Sequence, residues 1–257
     1  MLLKEILKKV IADLENRKPY PEISTTLKSL DKLLWGIHKK ELLVIGGRTS
    51  EGKTSLATQM AYRMSVICNV VFITLEMTNE QMAERILCNE YNISSEEIRV
   101  SKNLSDEKKQ LIDKTNNKLL ILDDVGNTPQ SLEKAIMGLR PLPDVLFIDH
   151  LHRISVKHGN RLESLDEYVR FLKDFAKRNN IAIVLVAQLN RGAEDSDRPH
   201  LWQLKGCGTI EEEADTVLLI WNHKDETHLL IEKQRHGPVG KIQVLFDKEY
   251  FRFSEIF

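Results

Sequence analysis

A short glycine-containing loop carries the residue types that bind nucleoside triphosphates. Gly47 and Gly52 bracket four residues, and Lys53 and Thr54 follow them directly. With this spacing backbone amides converge on phosphate oxygens, the Lys53 ammonium group reaches the β and γ phosphates, and the Thr54 hydroxyl reaches Mg²⁺. The sequence therefore predicts a site for ATP and Mg²⁺ made by Gly47, Arg48, Thr49, Ser50, Glu51, Gly52, Lys53, Thr54 and Ser55.

Such a site also needs a carboxylate that orients the magnesium ion at the end of a buried strand. The apolar run 145–148 ends in Asp149, and the apolar run 119–122 ends in Asp123 and Asp124. Spacing alone does not separate the two runs. The chemistry favours Asp149, and the other two aspartates have an alternative role in capping the turn before Thr128.

Hydrolysis requires a group that orients or deprotonates the attacking water, and Glu76 follows the apolar run 70–75. Strand ends of a parallel sheet gather at one edge, so Glu76 is a candidate base. A solvated loop carboxylate is the alternative. Gln188 ends another apolar run, where its amide either senses the γ-phosphate or satisfies the loop backbone.

Two cations, Lys233 and Arg235, lie at the tip of a predicted hairpin. A solvated basic hairpin is the usual explanation, but an arginine supplied to a neighbour's triphosphate raises the rate of hydrolysis by about 10³ to 10⁵. Such a contribution requires an oligomer. His150 and His152 flank Leu151. Without a third ligand at zinc-site spacing, they are expected to be polar lining of the site or plain loop residues rather than metal ligands.

Strand and helix patterns alternate through the part of the chain that would position these residues. Apolar runs at 42–46, 70–75, 119–122, 145–149 and 181–187 alternate with helical patterns near 53–66, 79–90, 129–139 and 162–178. This alternation predicts a mostly parallel sheet with helices on both faces, a doubly wound α/β core. Thr78 with Gln81, and Thr128 with Pro129, predict helix starts. Four close-set runs after residue 214 predict an antiparallel extension.

Composition and the amino terminus narrow the class of protein. The formal charge of −1 excludes an overall positive field, so any nucleic-acid site must be local. Cys68, Cys88 and Cys207 lack paired spacing and are predicted to be free thiols in a reducing compartment.

Apolar residues at helical spacing from Leu3 to Leu14 predict an amphipathic helix that packs either on its own domain or on a neighbouring subunit. The predicted location is cytoplasmic, with no membrane association.

Six ordered blocks together resemble the C-terminal, RecA-like motor domain of DnaB-type hexameric replicative helicases, with the helix that links it to their N-terminal domain. The blocks are GGRTSEGKT (46–54), TLEMTNEQMAER (74–85), LFIDHLHRI (146–154), VAQLNR (186–191), GTIEEEAD (208–215) and EKQRHGPVG (232–240). The resemblance implies a linker region at 1–22 and a RecA-like motor domain at 23–257. It also implies an ATP hydrolase that translocates on single-stranded DNA during replication.

The resemblance assigns roles that spacing leaves open. It implies that Asp149 is the magnesium-orienting carboxylate, that Glu76 activates water, and that Gln188 links nucleotide state to the DNA loops. It also implies that Lys233 and Arg235 reach into the site of the adjacent subunit. In the family, loops that face the central channel hold the backbone of the single strand, and 204–210 is the corresponding stretch here. Lys205, Gly206 and Gly208 in this stretch are expected to bind phosphates. This stretch departs from the Arg-Glu-Ser-Gly common in the family, and His152 replaces the usual glutamine.

The family also implies partners, namely single-stranded DNA, further copies of the chain in a hexameric ring, and a primase or a helicase loader. The family's N-terminal domain, which helps form the collar and meets primase, has no counterpart in these 257 residues. A shortened chain and a natural short relative are both compatible with this. The alternatives to a helicase are a RecA-like DNA-dependent ATPase without unwinding activity and a nucleotide-gated scaffold.

Overall fold

A computed structural model describes residues 2–15, 21, 23–100, 105–115, 118–151, 161–190, 198–204 and 207–256. Within them nine strands form one sheet with the order β3-β2-β4-β5-β1-β6-β7-β8-β9. The strand bounds are β1 Leu42–Gly47, β2 Val70–Thr74, β3 Leu119–Leu122, β4 Val145–Asp149, β5 Ala182–Gln188, β6 Thr216–His223, β7 Glu226–Gln234, β8 Gly240–Asp247 and β9 Arg252–Glu255.

The first six strands run parallel, and their order brings distant residues together. β4 lies between β2 and β5, with Thr74 opposite Asp149, and β1 lies between β5 and β6, with Gly47 opposite Gln188. The strands β1, β2 and β4 are buried along their whole length because helices cover both faces. The predicted doubly wound core is confirmed.

The remaining strands extend the sheet by antiparallel hairpins. β6 pairs with β7, β7 with β8, and β8 with β9. The antiparallel extension is thereby confirmed, although its last strand begins at Arg252, two residues after the start of the predicted run at 250–253. Residues 248–251 form the turn before that strand.

Nine α-helices and one 3₁₀ turn occur in the described ranges. Their bounds are α1 Leu3–Glu15, α2 Lys28–Leu34, α3 Lys53–Met64, α4 Asn79–Tyr91, α5 Ser95–Val100, α6 Asp106–Asp113, α7 Pro129–Met137, α8 Arg161–Asn179 and α9 Cys207–Glu213, with the 3₁₀ turn at Leu201–Gln203. The predicted caps are present, because the Thr78 side chain accepts a hydrogen bond from the Gln81 amide and the Thr128 side chain accepts one from the Ser131 amide. Four of these helices, α2, α5, α6 and α9, were not predicted.

Two apolar cores lie on opposite faces of the sheet. The first contains Val44 and Leu185 with residues of α7 and α8, and the second contains Ile45 with residues of α2 and α3. Side chains alternate between the two cores along β1 because successive residues of a strand point to opposite faces. Both cores hold the carboxyl-terminal edge of the parallel strands, where the candidate site lies.

The amino-terminal helix α1 carries its apolar residues on the surface. Leu3, Ile6, Leu7 and Val10 are all exposed, so the helix is amphipathic as predicted but its apolar stripe is not covered within the described part of this chain. None of the described helices is long and apolar enough to cross a membrane.

A buried ion pair joins α8 to the starts of β1 and β6. Lys173 and Asp215 are each only 3% exposed, and their side chains contact each other directly. The Leu42 amide donates to the Asp215 carboxylate at 2.8 Å, and Lys173 Nζ donates to the Lys40 carbonyl at 3.1 Å. These hydrogen bonds compensate the desolvation of both charges.

Candidate active site

The phosphate-binding loop connects β1 to α3 at the carboxyl-terminal edge of the sheet. Its backbone takes left-handed conformations at Ser50, with φ of 64°, and at Gly52, with φ of 96°. A Cβ on Gly52 would lie 2.7 Å from Phe246 Cζ, so only glycine fits there. The strand–loop–helix context predicted for this loop is present, and it aims the unsatisfied amides at the start of α3 into the loop.

Side chains of the loop contact its own backbone. Glu51 Oε2 accepts a hydrogen bond from the Arg48 amide at 2.5 Å, and Lys53 Nζ donates to the Arg48 carbonyl at 2.6 Å. Burial raises the pKa of Glu51, against the hydrogen bond from Arg48. Lys53 and Glu51 are therefore both positioned within the loop that the sequence assigns to phosphates.

Thr54 and Asp149 form the pair that suits magnesium. Thr54 Oγ1 donates to Asp149 Oδ2 at 2.7 Å, and Asp149 is only 1% exposed. Burial raises the pKa of Asp149, and the charge of Glu76 adds to this, while the hydrogen bond from Thr54 acts in the opposite direction. A hydroxyl and a carboxylate beside a phosphate loop are the hard oxygen ligands that Mg²⁺ prefers, so these residues fit the ion.

The rival aspartate has a different position. Asp123 accepts hydrogen bonds from the Asn79 amide at 2.9 Å and from the Asn79 side chain at 3.0 Å, at the start of α4. A carboxylate there stabilises the positive end of the helix dipole. The structure thus brings Asp149, not Asp123, into contact with Thr54.

Glu76 lies just beyond β2 and contacts the residue that follows Asp149. His150 Nδ1 lies 2.8 Å from Glu76 Oε2 and 3.9 Å from Asp149 Oδ1. Since a carboxylate only accepts, Nδ1 is the donor to Glu76. The Leu75 amide also donates to the Asp149 carbonyl at 2.6 Å, which joins the two strand ends. In the described residues no cluster of three His, Cys, Asp or Glu is arranged to hold a metal, and His152 lies outside them.

Gln188 contacts the phosphate loop from the end of β5. Its Nε2 donates to Thr49 Oγ1 at 2.5 Å, across the register pair formed by Gly47 and Gln188. The side chain of Gln188 is therefore connected to the loop that would hold the γ-phosphate.

Lys233 and Arg235 bind the carboxyl-terminal end of α9 in this chain. Lys233 Nζ and Arg235 Nη2 donate to the carbonyls of Glu211 and Glu212, respectively. Arg235 Nη1 also lies 3.6 Å from Asp215 Oδ1. Cations at a helix carboxyl terminus satisfy its free carbonyls, so both side chains have intrachain partners.

The stretch expected as a DNA-binding loop contains the start of a helix. Lys205 and Gly206 lie outside the described residues, and α9 begins at Cys207. Gly208 therefore lies in the first turn of a helix, and its prediction as a loop residue was wrong. The acidic run that follows it, 211–213, completes two turns of helix that buried Ile210 anchors to the core.

Arg85 of α4 is a site residue that sequence reasoning did not single out. Its Nη1 donates to Ser55 Oγ at 3.0 Å, and its guanidinium lies 4.7 Å from the Phe251 ring centroid. Burial lowers the pKa of Arg85, while the charges of Asp149 and Glu76 act against that change. Arg85 lies in the block TLEMTNEQMAER, but no local pattern indicates its contact with Ser55, which depends on the packing of α4 against α3.

Comparison with known protein families gives a match over most of the chain. The family model described as the DnaB-like helicase C-terminal domain matches residues 22–255. The replicative DNA helicase DnaB of Treponema pallidum is 31% identical over 278 residues, which cover 98% of this chain and 61% of the relative. The replicative DNA helicase DnaC of Bacillus subtilis is 28% identical, covering 96% and 59%. The chain thus spans about three fifths of the length of these curated relatives.

Solved structures share the fold. A DnaB-like replicative helicase, described with its interactions with primase, superposes with a TM-score of 0.89 at 22% identity. The match covers all of this chain and 67% of that helicase chain. A second solved structure, described as an ATPase domain, gives a TM-score of 0.91 at 23% identity, and the match covers all of this chain and 99% of that domain. These likenesses support the RecA-like α/β architecture.

Proposed function

We propose, because this chain belongs to the family of DnaB-like helicase C-terminal domains, that it is an ATP-driven motor acting on single-stranded DNA in replication. The motor would work in the cytoplasm as a ring, with residues 1–22 as linker and 23–257 as motor domain. The observation that carries the proposal is the joining of Thr54 to Asp149 beside the contact between Glu76 and His150. The residues proposed for phosphate binding, metal binding and water activation are thereby adjacent.

The phosphate loop provides binding and charge compensation. Lys53 and the amides at the start of α3 would hold the triphosphate, and Thr54 with Asp149 would hold Mg²⁺. The bound ion supplies neutralisation of the charge on the phosphate oxygens. Phosphates would replace the Arg48 carbonyl as the partner of Lys53, since a phosphate oxygen carries the larger negative charge.

Glu76 would orient and deprotonate the attacking water. Its carboxylate is held by His150 Nδ1, and this contact restricts the rotation of an otherwise half-exposed side chain. Gln188, through Thr49, would report the state of the γ-phosphate to the segment that follows β5.

Lys233 and Arg235 would act on the triphosphate of the adjacent subunit. In that arrangement they exchange the carbonyls at the end of α9 for the stronger acceptors of the neighbour's phosphates. The exposed apolar stripe of α1 supports an oligomer, because docking on a neighbouring subunit would cover it. A hexamer is expected from the family.

DNA contact would come from Lys205, Gly206 and Gly208 in each subunit. Several copies of Lys205 around one strand concentrate a positive field that a chain of net charge −1 does not have by itself. A primase or a loader is a further proposed partner, since a DnaB-like relative is described with primase.

The first experiment measures ATP hydrolysis with and without single-stranded DNA across protein concentration, with oligomer mass followed in the same samples. We expect turnover to rise with both assembly and DNA, because the catalytic arginine comes from a neighbour. A strand-displacement assay follows. DNA-stimulated turnover without displacement would instead indicate the non-unwinding RecA-like ATPase, and negligible turnover the scaffold.

The trans role of Arg235 is tested by mixing two inactive proteins. Glu76→Gln and Arg235→Ala are each expected to be inactive, but in an equimolar mixed ring about a quarter of the interfaces pair an intact Glu76 with an intact Arg235. Hydrolysis should therefore return to roughly that fraction of the wild-type rate. His236→Ala, beside Arg235 and exposed, is the matched control and should stay active. No recovery in co-assembled rings would exclude the trans mechanism.

A further inference from the structure

A tryptophan is presented to solvent at the carboxyl-terminal edge of the sheet, close to the candidate active site. Trp202 is 64% exposed, although the residues that follow it, Gln203 and Leu204, are buried. Tryptophan is highly buried on average in folded proteins, so an indole left this exposed on an ordered turn is unusual. Neither the ATP site nor the proposed phosphate contacts use it.

The turn that carries Trp202 is firmly attached to the fold. The His200 amide donates to Gln203 Oε1 at 2.8 Å, and the Gln203 carbonyl accepts from the Asn190 amide at 2.7 Å. Leu204 pairs with Leu189 after β5 and packs so closely on β1 that a Cβ at Gly46 would lie 2.7 Å from Leu204 Cδ2. The indole therefore projects from a rigid support rather than from a loose loop.

A second ring lies nearly parallel to the indole. The His200 imidazole is nearly parallel to Trp202, with an interplanar angle of 10° and a centroid distance of 6.2 Å. Glu232 lies near this ring, since its Oε2 is 3.8 Å from His200 Nδ1 while its Oε1 binds Arg198 Nη2 at 2.5 Å. The exposed indole therefore lies on an ordered turn beside a parallel imidazole, and a nucleobase stacks on an aromatic face of this kind.

We propose that Trp202, supported by His200, is a base-stacking platform for the single strand on which the motor acts. The inference rests on the proposed function and adds a base contact to the phosphate contacts proposed there. Stacking tolerates any DNA sequence because every base has a π face. A motor that moves along DNA requires this tolerance.

The platform is also directly connected to the ATP site. Asn190, whose amide binds the Gln203 carbonyl, lies two residues after Gln188, whose side chain binds Thr49 of the phosphate loop. A displacement of Gln188 by the nucleotide would therefore move the turn and its indole. Stacking is expected to be tighter in one nucleotide state than in the other.

The test compares the binding of an oligothymidylate with that of an abasic oligonucleotide of equal length, in the presence of a non-hydrolysable ATP analogue. Both strands have the same phosphates, so only base contacts distinguish them. We expect Trp202→Ala to weaken oligothymidylate binding about 5- to 100-fold and to lose the preference for it, because a stacked base contributes that much. Trp202→Phe should stay within about threefold of the wild type because it keeps a ring.

Controls separate this inference from the proposed function. Trp35→Ala removes another exposed indole. Trp35 is 41% exposed and lies at the end of α2, before the amino end of β1. This variant should bind both oligonucleotides as the wild type does. If the wild-type protein binds neither strand, the proposed function fails. If it prefers oligothymidylate and Trp202→Ala keeps that preference, the platform is refuted. Loss of oligomer mass in Trp202→Ala without DNA would also refute it, by assigning the indole to a subunit interface.

Discussion

The buried ion pair between Lys173 and Asp215 gives a quantitative prediction about stability. Lys173→Met keeps the length and the apolar stem of the side chain but removes its charge. Asp215 then stays buried with the Leu42 amide at one oxygen and Arg235 Nη1 at 3.6 Å from the other. The substitution therefore leaves a carboxylate that is only partly compensated.

The expected loss follows from that partial compensation. Removing one partner of a buried pair costs about 3 to 5 kcal/mol, because the remaining charge stays desolvated. Arg235 offsets part of this cost, so we expect the lower end, about 3 kcal/mol. The carbonyl of Lys40 also loses its hydrogen-bond donor, and this adds to the loss of stability. Asp215→Asn should cost a similar amount, and the double variant about 2 kcal/mol less than the sum of both.

Urea denaturation followed by circular dichroism measures these losses, at one protein concentration and without nucleotide so that all variants are compared under equal conditions of assembly. With a slope of about 3 kcal/mol per molar urea, the midpoint of Lys173→Met should fall by about 1 M. Lys177→Met, one turn further along α8 and exposed, is the matched control and should stay within about 0.5 kcal/mol of the wild type. A loss below about 1 kcal/mol in Lys173→Met, or additive single losses, would refute the reasoning.

Three further substitutions test other parts of the structure. Gly52→Ala places a Cβ 2.7 Å from Phe246 Cζ at a φ of 96°, so ATP hydrolysis should fall at least about tenfold; wild-type turnover would show that the loop tolerates the side chain. Burial disfavours the charge of Asp144, but hydrogen bonds, chiefly from Lys39, outweigh burial and lower its pKa. The stabilisation by Asp144 is therefore present above its unfolded pKa of about 3.9 and is lost as pH falls through its folded pKa. The difference in unfolding free energy between the wild type and Asp144→Asn, measured in urea, should be present at pH 7 and disappear only below about pH 3.9. Thr78→Ala removes the cap of α4 and should cost about 1 kcal/mol in the same assay, whereas Thr78→Ser should retain most of it.

The alternation of apolar runs and helical patterns was sufficient to predict the class of the sheet, because the central strands β1, β2 and β4 are buried on both faces and read as continuous apolar segments. The order of the strands was not predictable in this way. Thr74 and Asp149 are neighbours across the sheet although 75 residues separate them, and no local pattern records such a pairing. The contact between Glu76 and His150 depends on that pairing, so it too was beyond local reasoning.

The four helices that were not predicted are short, with six to eight residues each, and two of them have no buried residue. No residue of α5 or α6 is buried, so neither helix has the apolar stripe on which the helical prediction depends. The cap at Ser105, whose side chain accepts from the Lys108 amide, was a local signal for α6. The α9 helix was not predicted because the family resemblance implied a loop there, although Ile210 in the helix and Ala214 directly after it are both buried.

The two apolar cores on opposite faces of the sheet have a consequence for how substitutions combine. Val44 and Ile45 are adjacent in the chain but belong to different cores, whereas Val44 and Leu185 are far apart in the chain yet paired across strands in one core. Packing defects couple when they share a cavity and add when they do not. Epistasis in this protein should therefore follow the faces of the sheet, so that a damaged core is rescued by compensating changes on its own face and not by changes at the next residue.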